Sequence, residues 1–131
     1  MRKVHEVHSF IGPGLLGNPT GVLFVKEEWP DDEEMQEVAT QIGYTETAYV
    51  RQVEGGYDIR WFTPTSEVGL SGHATLATAL VIFQDGIRMD DELRFHSERA
   101  GTITVRRAGD RLALDFPIEP VTRSDGYPIL R

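Results

Sequence analysis

Two short segments of the sequence hold the side chains best suited to acid–base chemistry. The first is Ser71-Gly72-His73, where a short predicted strand ends and an apolar helix begins. The N–H groups of a helix's first turn have no acceptor within the helix, and the dipole is positive there, so this end favours a carboxylate or an oxyanion. Gly72 allows close approach to the backbone, and His73 adds a donor or a base. The alternative, which the pattern alone favours, is that Ser71 only caps the helix and that His73 is a surface residue.

The second segment is Thr45-Glu46-Thr47, at the start of an otherwise apolar predicted strand. A carboxylate in this position is a candidate proton carrier. The alternative is an exposed glutamate that alternates with buried neighbours along the strand, and taken alone the pattern favours that reading. The motif therefore becomes a hypothesis about function only in combination with other segments.

Composition narrows the classes of function. The chain has 131 residues, a formal net charge of -8 and no cysteine. The absence of cysteine excludes disulfides, thiolate metal sites and a cysteine nucleophile. The negative charge argues against a nucleic-acid partner and against binding to an anionic membrane surface, while a small anionic substrate remains compatible with it. His5, His8 and His96 are interpreted as structural or surface residues, since none has the spacing of a metal motif.

The length fits one domain, and no apolar run approaches the roughly 20 residues that span a bilayer. The first ten residues lack the apolar segment of a signal peptide, so we expect a cytoplasmic protein. We predict a domain over residues 1–117 and a linker or tail over 118–131, where prolines and a Ser-Asp-Gly segment replace the alternating pattern.

Local patterns predict strands around one amphipathic helix in the first part of the chain. Residues 3–10 and 20–26 are predicted strands, separated by a loop that contains the turn-forming pair Asn18-Pro19. Asp31, followed by Glu34, is typical of a capping box. The buried face of the helix is predicted to hold Met35, Val38, Ala39 and Ile42. Further strands are predicted over 45–53, 57–63, 67–70, 92–97, 101–107 and 110–117, with Gly55-Gly56 as the turn of a hairpin.

The segment over residues 72–83 is a predicted helix with almost no polar face. Thr75 and Thr78 are the polar residues beyond its first turn, and threonine can bond back to its own helix. A helix that is apolar all round must be buried all round, and this one is too short to cross a membrane. We therefore expect an α+β fold in which a curved antiparallel or mixed sheet wraps round a central helix.

Several motifs, in order along the chain, resemble the phenazine-biosynthesis (PhzF-like) isomerase family, whose fold is like that of diaminopimelate epimerase. The matching segments are Gly17-Asn18-Pro19, Met35-Gln36, Thr45-Glu46-Thr47, Arg60-Trp61-Phe62-Thr63-Pro64, Glu67-Val68, Leu70-Ser71-Gly72-His73-Ala74-Thr75 and Leu114-Asp115-Phe116-Pro117. Together they cover nearly the whole chain. The resemblance implies antiparallel strands curled round one buried helix in each of two halves, with the substrate in the cleft between them.

The resemblance also implies roles for individual residues. Glu46 corresponds to the general acid/base that moves a proton on a cyclohexadiene carboxylic acid, and Gly72 and His73 to residues that bind substrate at the helix end. Gly72 and His73, together with Asn18 and Ser71, form the candidate substrate-binding set. The family uses neither a cofactor nor a metal, so we expect none here.

The sequence departs from the family pattern in several ways. Ser71 stands where many relatives carry cysteine, and without cysteine a two-thiol racemase mechanism is ruled out. His8 stands where the family usually has an acidic residue. The match covers the N-terminal half only, and the family's second half supplies another helix end and an aspartate. We therefore expect the site to be completed at an interface, by a second copy or by a separately encoded second half. The alternative is a non-catalytic domain that binds a small carboxylate, or a truncated remnant.

Overall fold

The elements of the chain form one large mixed sheet and two helices. The computed structural model describes residues 4–12, 15–84, 91–109, 111–115, 121–122 and 128–129. The large sheet contains β1 (Val4–Gly12), β2 (Leu15–Val25), β3 (Glu46–Val53), β4 (Gly56–Phe62), β5 (Glu67–Val68), β6 (Glu92–Ser97), β7 (Gly101–Ala108) and β8 (Arg111–Asp115). The helices are α1 (Asp32–Ile42) and α2 (Gly72–Gln84). The strands β9 (Val121–Thr122) and β10 (Pro128–Ile129) pair with each other. The predicted boundary between residues 117 and 118 lies outside the described residues.

The order of the strands places the two helices on opposite faces of the sheet. The order is β1-β2-β3-β4-β6-β7-β8, with β5 added to β4, and the β2–β3 and β4–β6 pairs are parallel. Each parallel pair needs a crossover, and crossovers are almost always right-handed. Because β3 and β4 are antiparallel, the two pairs run in opposite directions, so right-handed crossovers put α1 and α2 on opposite sides. The resulting α+β fold, a mixed sheet around one helix, agrees with the prediction.

Side chains of the central strands alternate between the two helices. One buried cluster packs Met35 and Ala39 of α1 against side chains of β2, β3 and β4, namely Leu23, Val25, Tyr49 and Phe62. Their strand neighbours Val22, Ala48, Val50 and Trp61 form the larger core with the apolar side chains of α2. Because successive residues of a strand point to opposite faces, this alternation fixes which side of β3 each residue occupies.

Helix α2 is the central helix, but one stripe of it is open. It contacts β1, β2, β3 and β8, so the sheet reaches round it from both ends of the strand order. Leu80 is 37% exposed, and it lies on the same side as the exposed residues His73 and Gln84 and the half-buried Leu76. At 3.6 residues per turn these four positions fall on one face. The prediction that this helix is buried all round is therefore wrong along this stripe, which the sheet does not cover.

Helix α1 begins without the predicted side-chain cap. The carboxylate of Asp31 makes no capping hydrogen bond, and only its carbonyl accepts from the Met35 N–H, at 3.0 Å. The acidic residues of the first turn still face the positive end of the dipole, and Asp32 bonds Arg60 instead. The helix ends at Gly43, whose left-handed φ of 74° lets its N–H reach the carbonyl of Ala39 at 3.0 Å.

Strand β2 begins earlier than the sequence pattern indicates. Asn18 and Pro19, predicted to lie in a loop, belong to the strand. The register changes between the pairs His8↔Pro19 and Phe10↔Leu16, so one extra residue of β2 bulges out. A bulge tolerates a proline, which has no N–H for the ladder, and this explains how a turn-like motif sits within a strand. No helix in the described ranges is long and apolar enough to cross a bilayer.

Candidate active site

The carboxylate of Glu46 lies on the face of the sheet that holds α2. Glu46 is the first residue of β3 and pairs in parallel register with the buried Thr20 of β2. It shares its face with Ala48 and Val50, both of which pack in the core around α2. Thr47 points to the opposite face and is fully buried. Of the Thr-Glu-Thr segment, Glu46 is therefore the residue directed toward the start of α2, and it is half-buried.

Ser71 joins this carboxylate to the end of α2. Its hydroxyl accepts a hydrogen bond from the N–H of Ala74 at 3.1 Å, as an N-cap serine does. The same hydroxyl donates to Oε2 of Glu46. Two segments that lie 25 residues apart in the chain thus meet at one point. The interpretation of Ser71 as a helix cap is confirmed, and the contact with Glu46 is an additional feature of the same hydroxyl.

A second set of hydrogen bonds fixes the first turn of α2. The Thr75 N–H and hydroxyl both donate to the carbonyl of Ser71, at 3.1 Å and 2.7 Å. The indole N–H of Trp61 donates to the Thr75 hydroxyl at 3.0 Å. Both side chains are almost fully buried, so the helix start is tied to β4 without competition from water. The hydrogen bond between Trp61 and Thr75 was not predicted from the sequence. A threonine in an otherwise apolar helix, close to a motif that contains tryptophan, could have indicated it.

An ion-pair cluster holds the segment that leads into Ser71. Arg60 donates two hydrogen bonds of 2.8 Å to the two carboxylate oxygens of Glu67 and a third, of 3.0 Å, to Asp32 of α1. The hydrogen bond to Glu67 is the largest reason why the pKa of Arg60 is raised above its ordinary value. The guanidinium carbon also lies 5.8 Å from the centre of the Trp29 ring. Because a bidentate pair fixes orientation as well as distance, β5 and the chain after it have a defined path to the helix.

Of the remaining candidates, Gly72 and His73 lie at the same helix end. Gly72 is half-exposed and His73 is exposed, so both face outward from the start of α2. Asn18 lies in β2, two residues before Thr20, and the structure describes its backbone only. The structure therefore brings together Glu46, Ser71, Gly72 and His73.

A cavity of about 160 Å³ lies away from these residues. It is found where the pairing of β4 with β6 ends and its pairing with β5 begins. Residues of β4, β5 and the β6–β7 turn line it, among them Arg60, Glu67, Glu98 and Arg99. Neither Glu46 nor any residue of α2 contributes to its wall. The candidate site is thus a surface beside the helix end rather than this cavity.

Comparisons with known proteins agree on one family. The family model for phenazine biosynthesis-like proteins (PhzC-PhzF) matches residues 7–121. The chain is 43% identical, over 129 residues, to an uncharacterized isomerase of Pseudomonas aeruginosa, covering 94% of this chain and 48% of the relative. The crystal structure of a PhzF-family protein from Enterococcus faecalis superposes with a TM-score of 0.79 at 35% identity, over 98% of this chain and 48% of that one.

A more distant structure supports the fold. A predicted epimerase from Pseudomonas aeruginosa has a TM-score of 0.64 at 22% identity, covering 86% of this chain and 41% of that one. The chain spans about half the length of the curated relatives that it matches.

Proposed function

The chain belongs to the phenazine biosynthesis-like family, and on this premise we propose that it forms one wall of an isomerase active site. In this site Glu46 moves a proton on a small cyclic carboxylic acid. The observation that carries the proposal is the contact between the Glu46 carboxylate and the N-cap serine of α2. Within the described residues, Oε1 of Glu46 accepts no hydrogen bond and is thus available to give or take a proton.

The proposed chemistry needs a binding site for an anion beside the proton carrier. The first turn of α2 offers backbone N–H groups and the positive end of a dipole. We place the substrate carboxylate there, against Gly72 and His73, with Asn18 as a further contact from β2. Negative charge that develops on the conjugated carboxylate when a ring proton leaves is stabilised by the same helix end. Glu46 then returns the proton to a different carbon of the ring, so the overall reaction is an isomerisation.

The open stripe of α2 is the proposed surface for the partner that completes the site. Among the described residues, Leu80 is the only large apolar side chain that is exposed, and the half-buried Leu76 adjoins it. His73 lies on the same stripe, so a partner protein that covers Leu76 and Leu80 also covers the start of α2. We propose a second copy of the chain in this position, related by a two-fold axis that uses the same surface on both copies. A separately encoded second half is the other candidate for this place.

Ligand binding tests the helix end directly. Titration with benzoate or a cyclohexadiene carboxylic acid is expected to shift the backbone amide signals of Gly72 and His73 in NMR spectra. His73→Ala should raise the dissociation constant by about tenfold, since it removes a donor to a carboxylate. His96→Ala, on the distant strand β6, serves as the matched control and should bind as wild type. Saturating ligand without any shift at the start of α2 would exclude this end as the anion site.

Association in solution tests the proposed partner surface. Sedimentation equilibrium at micromolar concentrations is expected to show at least a dimer. Leu80→Glu should raise its dissociation constant by at least about tenfold, because the interface would then bury an unpaired charge. Gln52→Glu, at the exposed position of the otherwise mostly buried strand β3, adds the same charge outside the stripe and is expected to leave the dimer intact. Equal association of the two variants would show that the stripe is not the interface, and a wild-type monomer would argue for a heteromeric partner.

A further inference from the structure

We infer that Ser71 is a positioning residue, whose hydroxyl holds one oxygen of Glu46 so that the other is presented for proton transfer. The inference rests on the proposed function, since it assigns a role to Ser71 within the same site. It differs from the expectation that Ser71 binds substrate. The contacts of its hydroxyl, described above, support the positioning role.

The hydrogen-bonding capacity of a serine hydroxyl limits what Ser71 can do. A hydroxyl has one proton to donate, and that proton is directed to Oε2 of Glu46. One of its lone pairs already accepts the N–H of Ala74 at 3.1 Å. Ser71 is 6% exposed, so there is little room for water or for a ligand to reach the second lone pair. The hydroxyl therefore has no proton left to donate to a substrate.

The base of the Ser71 side chain is fixed by its own carbonyl group. Thr75 donates to that carbonyl through both its N–H and its hydroxyl, and Trp61 in turn donates to Thr75. The serine oxygen thus has a fixed position relative to β4, the strand that pairs with β3. Since Glu46 lies at the start of β3, the distance between the two side chains is set by the sheet and not by a flexible loop.

A half-buried glutamate needs such a partner in order to have one orientation. Its side chain has several rotatable bonds, and ordering it costs conformational entropy. No other described residue forms a hydrogen bond or an ion pair with the Glu46 carboxylate. The contact with Ser71 is therefore what distinguishes Oε2 from Oε1. It also couples the carboxylate to the N-terminal end of α2, because the same hydroxyl caps the helix.

A spectroscopic test separates this role from helix capping. Carbon-13 NMR on protein with labelled glutamate side-chain carboxyls identifies Glu46 as the signal lost in Glu46→Gln. In Ser71→Gly that signal is expected to move to the range of the exposed glutamates, while in Ser71→Thr, which keeps a hydroxyl, it should stay near its wild-type position. Glycine is itself an accepted N-cap residue, so this variant retains a helix start. Thr78→Val is the matched control, because it removes a buried α2 hydroxyl that bonds only to Ala74 of its own helix.

Kinetics on the same variants add a second readout. Ser71→Gly is expected to lower kcat by about tenfold with little change in KM, as expected when a hydrogen bond that orients a catalytic group is lost. A rise in KM with unchanged kcat would instead show that the hydroxyl binds substrate and would overturn the inference. An unmoved Glu46 signal in Ser71→Gly would also overturn it. The proposed function fails on a different result, namely full turnover in Glu46→Gln, so the two failures can be told apart.

Discussion

Glu46→Gln is expected to lower turnover by about a hundredfold or more, which is the usual effect of removing a general acid/base. The amide has nearly the same shape as the carboxylate, and its oxygen can still accept the hydrogen bond from the Ser71 hydroxyl. The variant should therefore fold, keep the start of α2 and bind the substrate carboxylate. It loses only the ability to exchange a proton. The measurement is the rate at which deuterium from solvent enters the substrate ring, followed by proton NMR.

Glu92→Gln provides the matched control for this experiment. Glu92 is also a half-buried strand glutamate, but it lies on β6 and pairs with Arg94 and Arg106, away from α2. Its loss removes the same charge from the protein, so any general effect of net charge appears in both variants. We expect Glu92→Gln to retain the wild-type rate. If the two variants exchange deuterium equally fast, Glu46 is not the proton carrier.

Local patterns were sufficient to predict most of the elements. The hairpin was predictable because glycines interrupt two apolar runs, and β3 and β4 form there. The predicted turn was wrong by one residue, since the turn is Glu54-Gly55 and Gly56 already pairs with Val53 in the ladder. Helix α2 was predictable because an apolar segment of this length has no polar face. Both predictions depend on residues that are close to one another along the chain, so the sequence alone is enough to make them.

The geometry of the site depends on contacts that local patterns do not contain. The hydrogen bond between Ser71 and Glu46 requires that β3 and β4 pair in one register and that α2 cross the sheet on the same face as Glu46. A shift of one residue would turn Glu46 to the side of α1. The open stripe around Leu80 was not predictable either, because a uniformly apolar helix gives no sign of which face the sheet leaves uncovered.

The longest sequence motif proves to be mostly structural. Arg60 and Glu67 form the ion pair that directs the chain into α2, and Trp61 bonds Thr75 in the helix. Only its last part, around Ser71, faces Glu46. A motif can thus identify a site although most of its residues only hold the neighbouring strands and helix in position. The role of each residue therefore had to be assigned from its individual contacts.

Gly56→Ala is expected to destabilise the fold by about 2–4 kcal/mol, in the range of mutations that force strained backbone and steric overlap. Gly56 begins β4 with a φ of 155°, and a Cβ there would lie 2.4 Å from the carbonyl oxygen of Arg94. That oxygen belongs to the backbone of β6, so it cannot move aside as a flexible side chain would. The β4–β6 ladder, with the pairs Tyr57↔Phe95 and Asp58↔His96, must separate to relieve the overlap.

The neighbouring glycine makes the comparison specific. Gly55 also has a positive φ, of 86°, but a Cβ built on it meets no atom within 4 Å. Gly55→Ala therefore carries the conformational cost alone, about 1 kcal/mol. Urea unfolding followed by tryptophan fluorescence measures both variants, and the midpoint of Gly56→Ala should be clearly the lower. Because β4–β6 is the ladder that joins the strands before α2 to those after it in the described sheet, its loss should also expose the core around Trp61. Equal midpoints for the two variants would mean that β6 yields at Arg94 without cost, and that the close approach of the two strands is not what holds the halves of the sheet together.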